Sequence, residues 1–185
     1  MDRDQGGTLT VPSSDALTLR PLTGRAAEMA ALQSVLESAP AYFRIVSGAP
    51  PGPAEAQSLF TALPPGKGYE DKFVWGLYSG PAMIGCADVI RGYPTPDKAV
   101  IGLLLLAEPW QQQGLGRAFA ALVEQAIVGW DAITRLRIGV ALANSGALRF
   151  WQRLGYIETG EVQPADPGGF PIAVLEKPLS RTPRA

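Results

Sequence analysis

The sequence predicts a mixed α+β domain built around one twisted sheet, and three observations carry that expectation. Residues 73–78, 83–91 and 99–106 are aromatic, β-branched or aliphatic runs separated by Ser79-Gly80-Pro81 and by Tyr93-Pro94-Thr95-Pro96, the pattern of an antiparallel meander. After Gly114, apolar residues recur in alternating steps of three and four, which is the period of an amphipathic helix. Beyond that helix, short strand-like runs and one further helix alternate to the end of the chain. A length of 185 residues suits a single core.

Taken in order, residues 1–15 are rich in Gly, Ser, Thr and Asp without an apolar period and read as a loose N-terminal tail. Residues 16–180 form the one domain, and residues 181–185 a second tail. Residues 17–20 read as a strand, and Thr23 as the cap of a helix whose apolar face holds Met29, Leu32, Val35 and Leu36. Residues 42–46 and 53–63 read as short helical pieces between Pro/Gly-dense loops, with Pro53 near an N-terminus. The meander follows. The long helix carries Leu115, Ala118, Phe119, Leu122, Val123, Ala126, Ile127 and Trp130 on its inner face. Residues 135–140 are a strand, residues 145–154 a helix closed by Gly155, and residues 156–162 and 172–177 the last two strands.

Composition removes many chemistries. Histidine is absent, which excludes Ser/His/Asp triads, Cys/His dyads, the facial iron triad and most zinc sites, so no metal is expected. The only cysteine, Cys86, permits no intrachain disulfide, which fits a reducing cytoplasm; without a base to activate it, it reads as a small buried hydrophobe. Lys plus Arg total 16 against 17 Asp plus Glu, with no basic stripe, so a nucleic-acid partner is not expected. No run reaches a membrane span and residues 1–15 hold no apolar signal stretch, so neither membrane insertion nor export is expected.

The first informative motif is Gln111-x-x-Gly114-x-Gly116-Arg117, between the apolar run ending at Leu106 and the long helix. A helix start presents unpaired N–H groups and the positive end of its dipole, and glycine lets the backbone approach an anion, so a pyrophosphate would sit there well. A plain glycine turn entering a core helix is the alternative. A dinucleotide fingerprint is excluded because Phe119 stands where a third glycine is needed; a P-loop is excluded because Thr61 stands where Gly66-Lys67 would need a glycine.

The second motif is Asn144-Ser145-Gly146-Ala147-Leu148-Arg149-Phe150-Trp151-Gln152-Arg153-Leu154-Gly155-Tyr156. An Asn-x-x-Ala, an aromatic pair and Leu-Gly-aromatic, downstream of the first motif, resemble the GNAT superfamily of N-acetyltransferases. The resemblance runs from about residue 73 to residue 179, ending on Glu176-Lys177-Pro178-Leu179. It implies a sheet of about seven strands flanked by about four helices, splayed between the fourth and fifth strands to admit the pantetheine arm of acetyl-CoA. It also implies that the backbone of Leu104, Leu105 and Leu106 pairs with the pantetheine amides, while Gln112, Gln113, Gly114, Leu115, Gly116 and Arg117 wrap the pyrophosphate. Arg117 either adds charge there or is a solvated surface arginine, and Asn144 either contacts the cosubstrate or caps the helix behind it.

Where many relatives place a tyrosine to protonate the departing thiolate, this chain has Trp151, whose indole is no acid. Trp151 therefore reads as core or as a hydrogen-bond donor on the cofactor side, and Tyr156, which the resemblance puts in an aromatic core position, is the candidate substitute acid. Asp88, interrupting an apolar strand one strand from the implied gap, is the first choice of base for an incoming ammonium; the alternative is a solvent-facing strand residue. The resemblance implies an acetyl-CoA-dependent N-acetyltransferase acting directly on a primary amine of a small molecule or protein N-terminus, with a homodimer as a family expectation. A non-catalytic acyl-CoA-binding or interaction module on the same fold is the second reading.

Overall fold

A computed structural model describes residues 17–164 and 170–180. The two tails and residues 165–169 lie outside the described residues, as does Ala16 at the expected domain start. The chain runs β1 (Leu17–Pro21), α1 (Ala26–Glu37), α2 (Pro40–Ser47), α3 (Glu55–Thr61), β2 (Lys72–Ser79), β3 (Ala82–Arg91), β4 (Lys98–Leu106), α4 (Leu115–Val128), β5 (Arg135–Ala141), α5 (Ser145–Arg153), β6 (Ile157–Gln163) and β7 (Ile172–Pro178). The strands form one seven-stranded sheet in the order β1-β2-β3-β4-β5-β7-β6. Every neighbouring pair is antiparallel except β4 and β5, which run parallel around the α4 crossover.

Each face of the sheet buries its own core. On one face, Leu115, Phe119, Val123 and Ile127 of α4 meet Ile101, Leu136, Ile138 and Leu175, joined by Trp151 and Tyr156. On the other, Leu32, Val35 and Leu36 of α1 and Ala56 of α3 meet Val74, Cys86, Leu103 and Leu105. Fully burying a side chain the size of Phe119 or Leu136 contributes roughly 1.5–3 kcal/mol, so the α4 stripe alone accounts for much of the cohesion on its face.

One residue couples the two faces. In β4, Ala99 and Ile101 point to the α4 core, yet Leu103 and Leu105 belong to the α1 core. The switch occurs at Gly102, which the β3/β4 register skips, Asp88 pairing with Leu103 and Val89 with Ile101. An extra residue in one strand of a pair is a β-bulge, and it shifts the inward–outward alternation downstream by one position.

Two local expectations are corrected. Thr23 does not cap α1: its N–H and hydroxyl both donate to the Glu28 carboxylate, which also accepts from Arg25 N–H, and Arg25 holds the N-cap position. Glu28 reaches back to the helix start, leaving no capping role for the threonine hydroxyl. Trp130 lies past the end of α4, whose last residue is Val128. Its indole packs 4.4 Å from the Phe73 ring, with the Arg91 guanidinium 5.9 Å from its centroid.

Candidate active site at the splay of the sheet

The parallel β4/β5 pairing covers only Lys98↔Arg135 to Ile101↔Ile138. Beyond it both strands keep their outer partners, β4 to β3 as far as Leu106↔Gly85 and β5 to β7 as far as Ala141↔Ile172. The two central strands therefore diverge after Ile101, and residues 102–106 and 139–141 face a gap with no strand partner across it. Leu104, Leu105 and Leu106 line up along that gap, Leu105 anchored in the α1 core and Leu106 in the α4 core. Apart from Leu106 O, which accepts from Gln111 Nε2, their backbone groups on the gap side need partners, so a ligand with amides along its length fits this edge.

The chain leaving β4 turns through Glu108–Trp110 and enters α4 with two left-handed residues, Gln112 at φ +59° and Gly114 at φ +80°. Side chains brace the turn. Gln111 Nε2 donates to Leu106 O at 2.7 Å and Gln113 Nε2 to Pro109 O at 2.6 Å. Glu108 ties it to the α1–α2 junction, its N–H donating to Ser38 O and its carboxylate accepting from Ala41 N–H. Left-handed residues alternating with ordinary ones turn successive N–H groups into one concavity, an anion nest. The first turn of α4 contains no acidic residue, so its dipole is not neutralised. The surroundings thus suit a diphosphate.

The two glycines do different work. A Cβ on Gly114 would meet nothing within 4 Å, and its left-handed φ is what the turn demands. A Cβ on Gly116 would stand 3.3 Å from the Phe150 ring, so this glycine also admits α5 against α4. Leu115 is buried beneath the nest, and Arg117 is exposed on the first turn of α4. Asn144 caps α5, its Oδ1 accepting from Ala147 N–H at 3.0 Å.

Trp151 is buried, its ring 5.2 Å edge-on from Phe150 and 4.9 Å from Tyr156. Tyr156 is only 2% exposed, and its hydroxyl donates to Glu124 Oε1 at 3.1 Å. Burial, followed by the Glu124 charge, pushes the phenol well above its usual range. Lys177 completes the cluster, its ammonium on both Glu124 oxygens and near the Tyr156 ring. The structure therefore commits Tyr156 to a part-buried triad with Glu124 of α4 and Lys177 of β7, and the substitute-acid role expected for it has no geometric support. Tyr156→Phe is expected to leave turnover within about twofold and to cost roughly 1 kcal/mol of stability, since one buried hydrogen bond is lost; steady-state rates and a melting curve check both.

Asp88 is placed differently from the solvent-facing alternative. Its side chain is 13% exposed and pairs through Oδ1 with Lys72 Nζ at 2.8 Å, Lys72 itself being 4% exposed. Burial raises the carboxyl above its ordinary value, and the Lys72 hydrogen bond and charge oppose that rise. The other oxygen, Oδ2, lies 3.3 Å from where a Cβ on Gly102 would stand. Gly102 is both the bulge and the first residue past the last β4/β5 partner. The carboxylate thus borders the point where the sheet opens. Cys86, fully buried two residues away, has its thiol pushed up by burial and takes no part.

Asp88 and Gly102 also line a cavity of about 250 Å³ whose walls are Leu36, Tyr42, Phe43, Leu59 and Leu103. Sequence reasoning missed Lys72 and Gly102, and within residues 42–63 it did not single out Tyr42, Phe43 and Leu59 as walls. The cross-strand placement of Lys72 beside Asp88 follows from register, and these three walls belong to α2 and α3, which lie among prolines and give little periodic signal. Among the described residues no cluster of three His, Cys, Asp or Glu could hold a metal ion, and no helix is long and apolar enough to cross a membrane.

Comparison with known proteins agrees with this geometry. The profile of the Acetyltransferase (GNAT) family matches residues 32–156. No curated protein matches the chain. Among solved structures, an acetyltransferase from Thermus thermophilus is similar at 27% identity and TM-score 0.69, over 89% of this chain and 97% of that one. Aminoglycoside acetyltransferase AAC(6')-Ib in complex with coenzyme A shares the fold at 20% identity and TM-score 0.66, over 88% and 94%. The ribosomal-protein-S18-alanine N-acetyltransferase from Escherichia coli does so at 18% and 0.64, over 90% and 96%. With a match spanning more than half its length on top of a sheet splayed behind a glycine nest, the chain belongs to the acetyltransferase (GNAT) family.

Proposed function

We propose that the chain is an N-acetyltransferase that passes the acetyl group of acetyl-CoA directly to a primary amine of a small molecule or protein N-terminus. One observation carries the reading: Asp88 Oδ2 sits over Gly102, where β4 parts from β5, so a carboxylate and the implied thioester path meet. That one structural relative is bound to coenzyme A and another is an alanine N-acetyltransferase supports it by fold. The backbone of Leu104, Leu105 and Leu106 pairs with the pantetheine arm. Gln112, Gln113, Gly114, Leu115, Gly116 and Arg117 form the diphosphate end, with Asn144 and Trp151 on the α5 side.

Asp88 accepts the proton of the incoming ammonium, directly or through water, and leaves a neutral amine to attack the thioester carbonyl. The departing thiolate, with a solution pKa near 8.5, needs no acid at neutral pH, which suits a site with Trp151 in place of a phenol. A cytosolic location suits a chain with one buried cysteine.

The second reading, a non-catalytic acyl-CoA-binding module, is favoured by the same tryptophan and by the locked Tyr156 hydroxyl. A thermal-shift titration with acetyl-CoA followed by mass spectrometry of an amine panel separates them. Acetyl-CoA at 100 times its Kd is expected to stabilise the protein by about 2.7 kcal/mol, and acetylated amine is expected in the mixture. Stabilisation without product would leave the binding module; no stabilisation would remove both.

A further inference from the structure

The cavity beside Asp88 also constrains what can be acetylated. Its walls are aromatic and aliphatic: Tyr42 and Phe43, packed edge-to-face at 5.3 Å, with Leu59 and Leu103. Its charged lining among the described residues is acidic, Asp88 and Glu55. Glu55 is engaged by its own turn, Oε1 accepting from Gly52 N–H at 2.9 Å. Lys72, behind Asp88, is spent on Asp88 Oδ1 and its side chain is almost wholly buried. Burial pushes the Tyr42 phenol up to about 12, so it stays neutral across the physiological range.

From this lining we infer, on the basis of the N-acetyltransferase reading, that the acceptor is a small primary amine on a compact apolar or aromatic body with no carboxylate beside the amine. An ammonium finds Asp88 Oδ2, and the body finds the Tyr42, Phe43 and Leu59 walls. Among the described residues an α-carboxylate finds no cation on the lining and faces two acids, and a buried charge without a partner is costly. A polyamine brings further ammonium groups to walls that are mostly hydrocarbon. At about 250 Å³ the cavity, open to solvent on one side, takes the amine and the part of the body next to it.

The test uses two pairs on the full chain with acetyl-CoA: phenethylamine against phenylalanine, which differ by one carboxylate, and hexylamine against spermidine, which is longer and carries two further ammonium groups. kcat/KM is expected to favour phenethylamine and hexylamine by at least tenfold. Calorimetric titration of the same four compounds in the presence of CoA is expected to show the same order. Leu59→Lys, which puts a cation on the wall, is expected to shrink the phenethylamine preference by raising turnover of phenylalanine. If product forms but phenylalanine or spermidine is preferred, the acceptor class is overturned and the N-acetyltransferase reading stands. If the apolar amines bind in the expected order and no amine is acetylated, the catalytic reading fails while the cavity assignment stands. If none of the four binds or reacts while acetyl-CoA still stabilises the protein, the acceptor class is overturned; if acetyl-CoA does not stabilise it either, both fall.

Discussion

Asp88→Asn is expected to lower kcat/KM for the best amine by about 10²-fold or more while the acetyl-CoA dissociation constant stays within twofold. A positioned general base contributes typically 10²–10⁴, and Asp88 borders the sheet opening on the side away from the diphosphate nest. The substitution keeps size and removes charge, so packing is preserved. Its side effect falls on Lys72, left with a weaker partner at 4% exposure. Breaking a buried pair costs roughly 3–5 kcal/mol, so a melting curve accompanies the kinetics. The double variant Asp88→Asn with Lys72→Gln separates lost stability from lost chemistry: it should recover melting temperature and not rate. The pH profile gives an independent check. The active form is the carboxylate, and burial raises its pKa in the folded protein. Activity therefore falls as pH drops through a value above the usual carboxylate range of about 4, and Asp88→Asn abolishes that limb. Rates within twofold of the natural protein would make Asp88 a structural half of an ion pair and nothing more.

Gly114→Val is expected to weaken acetyl-CoA binding at least tenfold, measured by calorimetry on a protein that still folds. A β-branched residue in the left-handed region costs on the order of 1–2 kcal/mol, and 1.4 kcal/mol is a factor of ten in Kd. The strain is relieved only if the turn abandons φ +80°, and with it the convergence of N–H groups ahead of α4. Gly114→Asn, which tolerates that conformation, is expected to retain most of the affinity. Unchanged affinity in a folded Gly114→Val protein would remove the nest as the anion site. The neighbouring glycine is the contrast: Gly116→Val drives a side chain into Phe150 and should lower melting temperature through the α4–α5 contact.

Much of this fold could be read from the chain because periodicity reports burial. The α4 stripe and the three meander runs owe their positions to residues such as Phe119, Val123, Ile84 and Leu105, which are buried as their spacing implies. Trp130 extended the α4 period by one step beyond the helix because a loop indole packs on Phe73 as well as a helical one would. The diphosphate end was legible because Gly114 sits between a strand and a helix. The acceptor side was not. Its ion pair joins Lys72 to Asp88 across β2 and β3, and its aromatic walls and Leu59 come from α2 and α3, whose short spans hold one buried residue, Ala56, between them. Spacing along the chain carries no record of such cross-element contacts.

The bulge at Gly102 makes β4 the element whose reading frame matters to the whole molecule. Upstream of it odd-numbered positions serve the α4 core; downstream they serve the α1 core. Gly102 is thus the spare letter of the frame. Removing it would leave Ile101 on one layer and Leu103 on the other in plain alternation, so both cores would survive while the notch facing Asp88 was lost. Removing Leu104 instead would carry Leu105 and Leu106 to each other's layers, exchanging the two interiors at that end of the strand. Inside β4, a deletion should therefore be survivable at Gly102 and not at Leu104, and at Gly102 it would uncouple the fold from the site it carries.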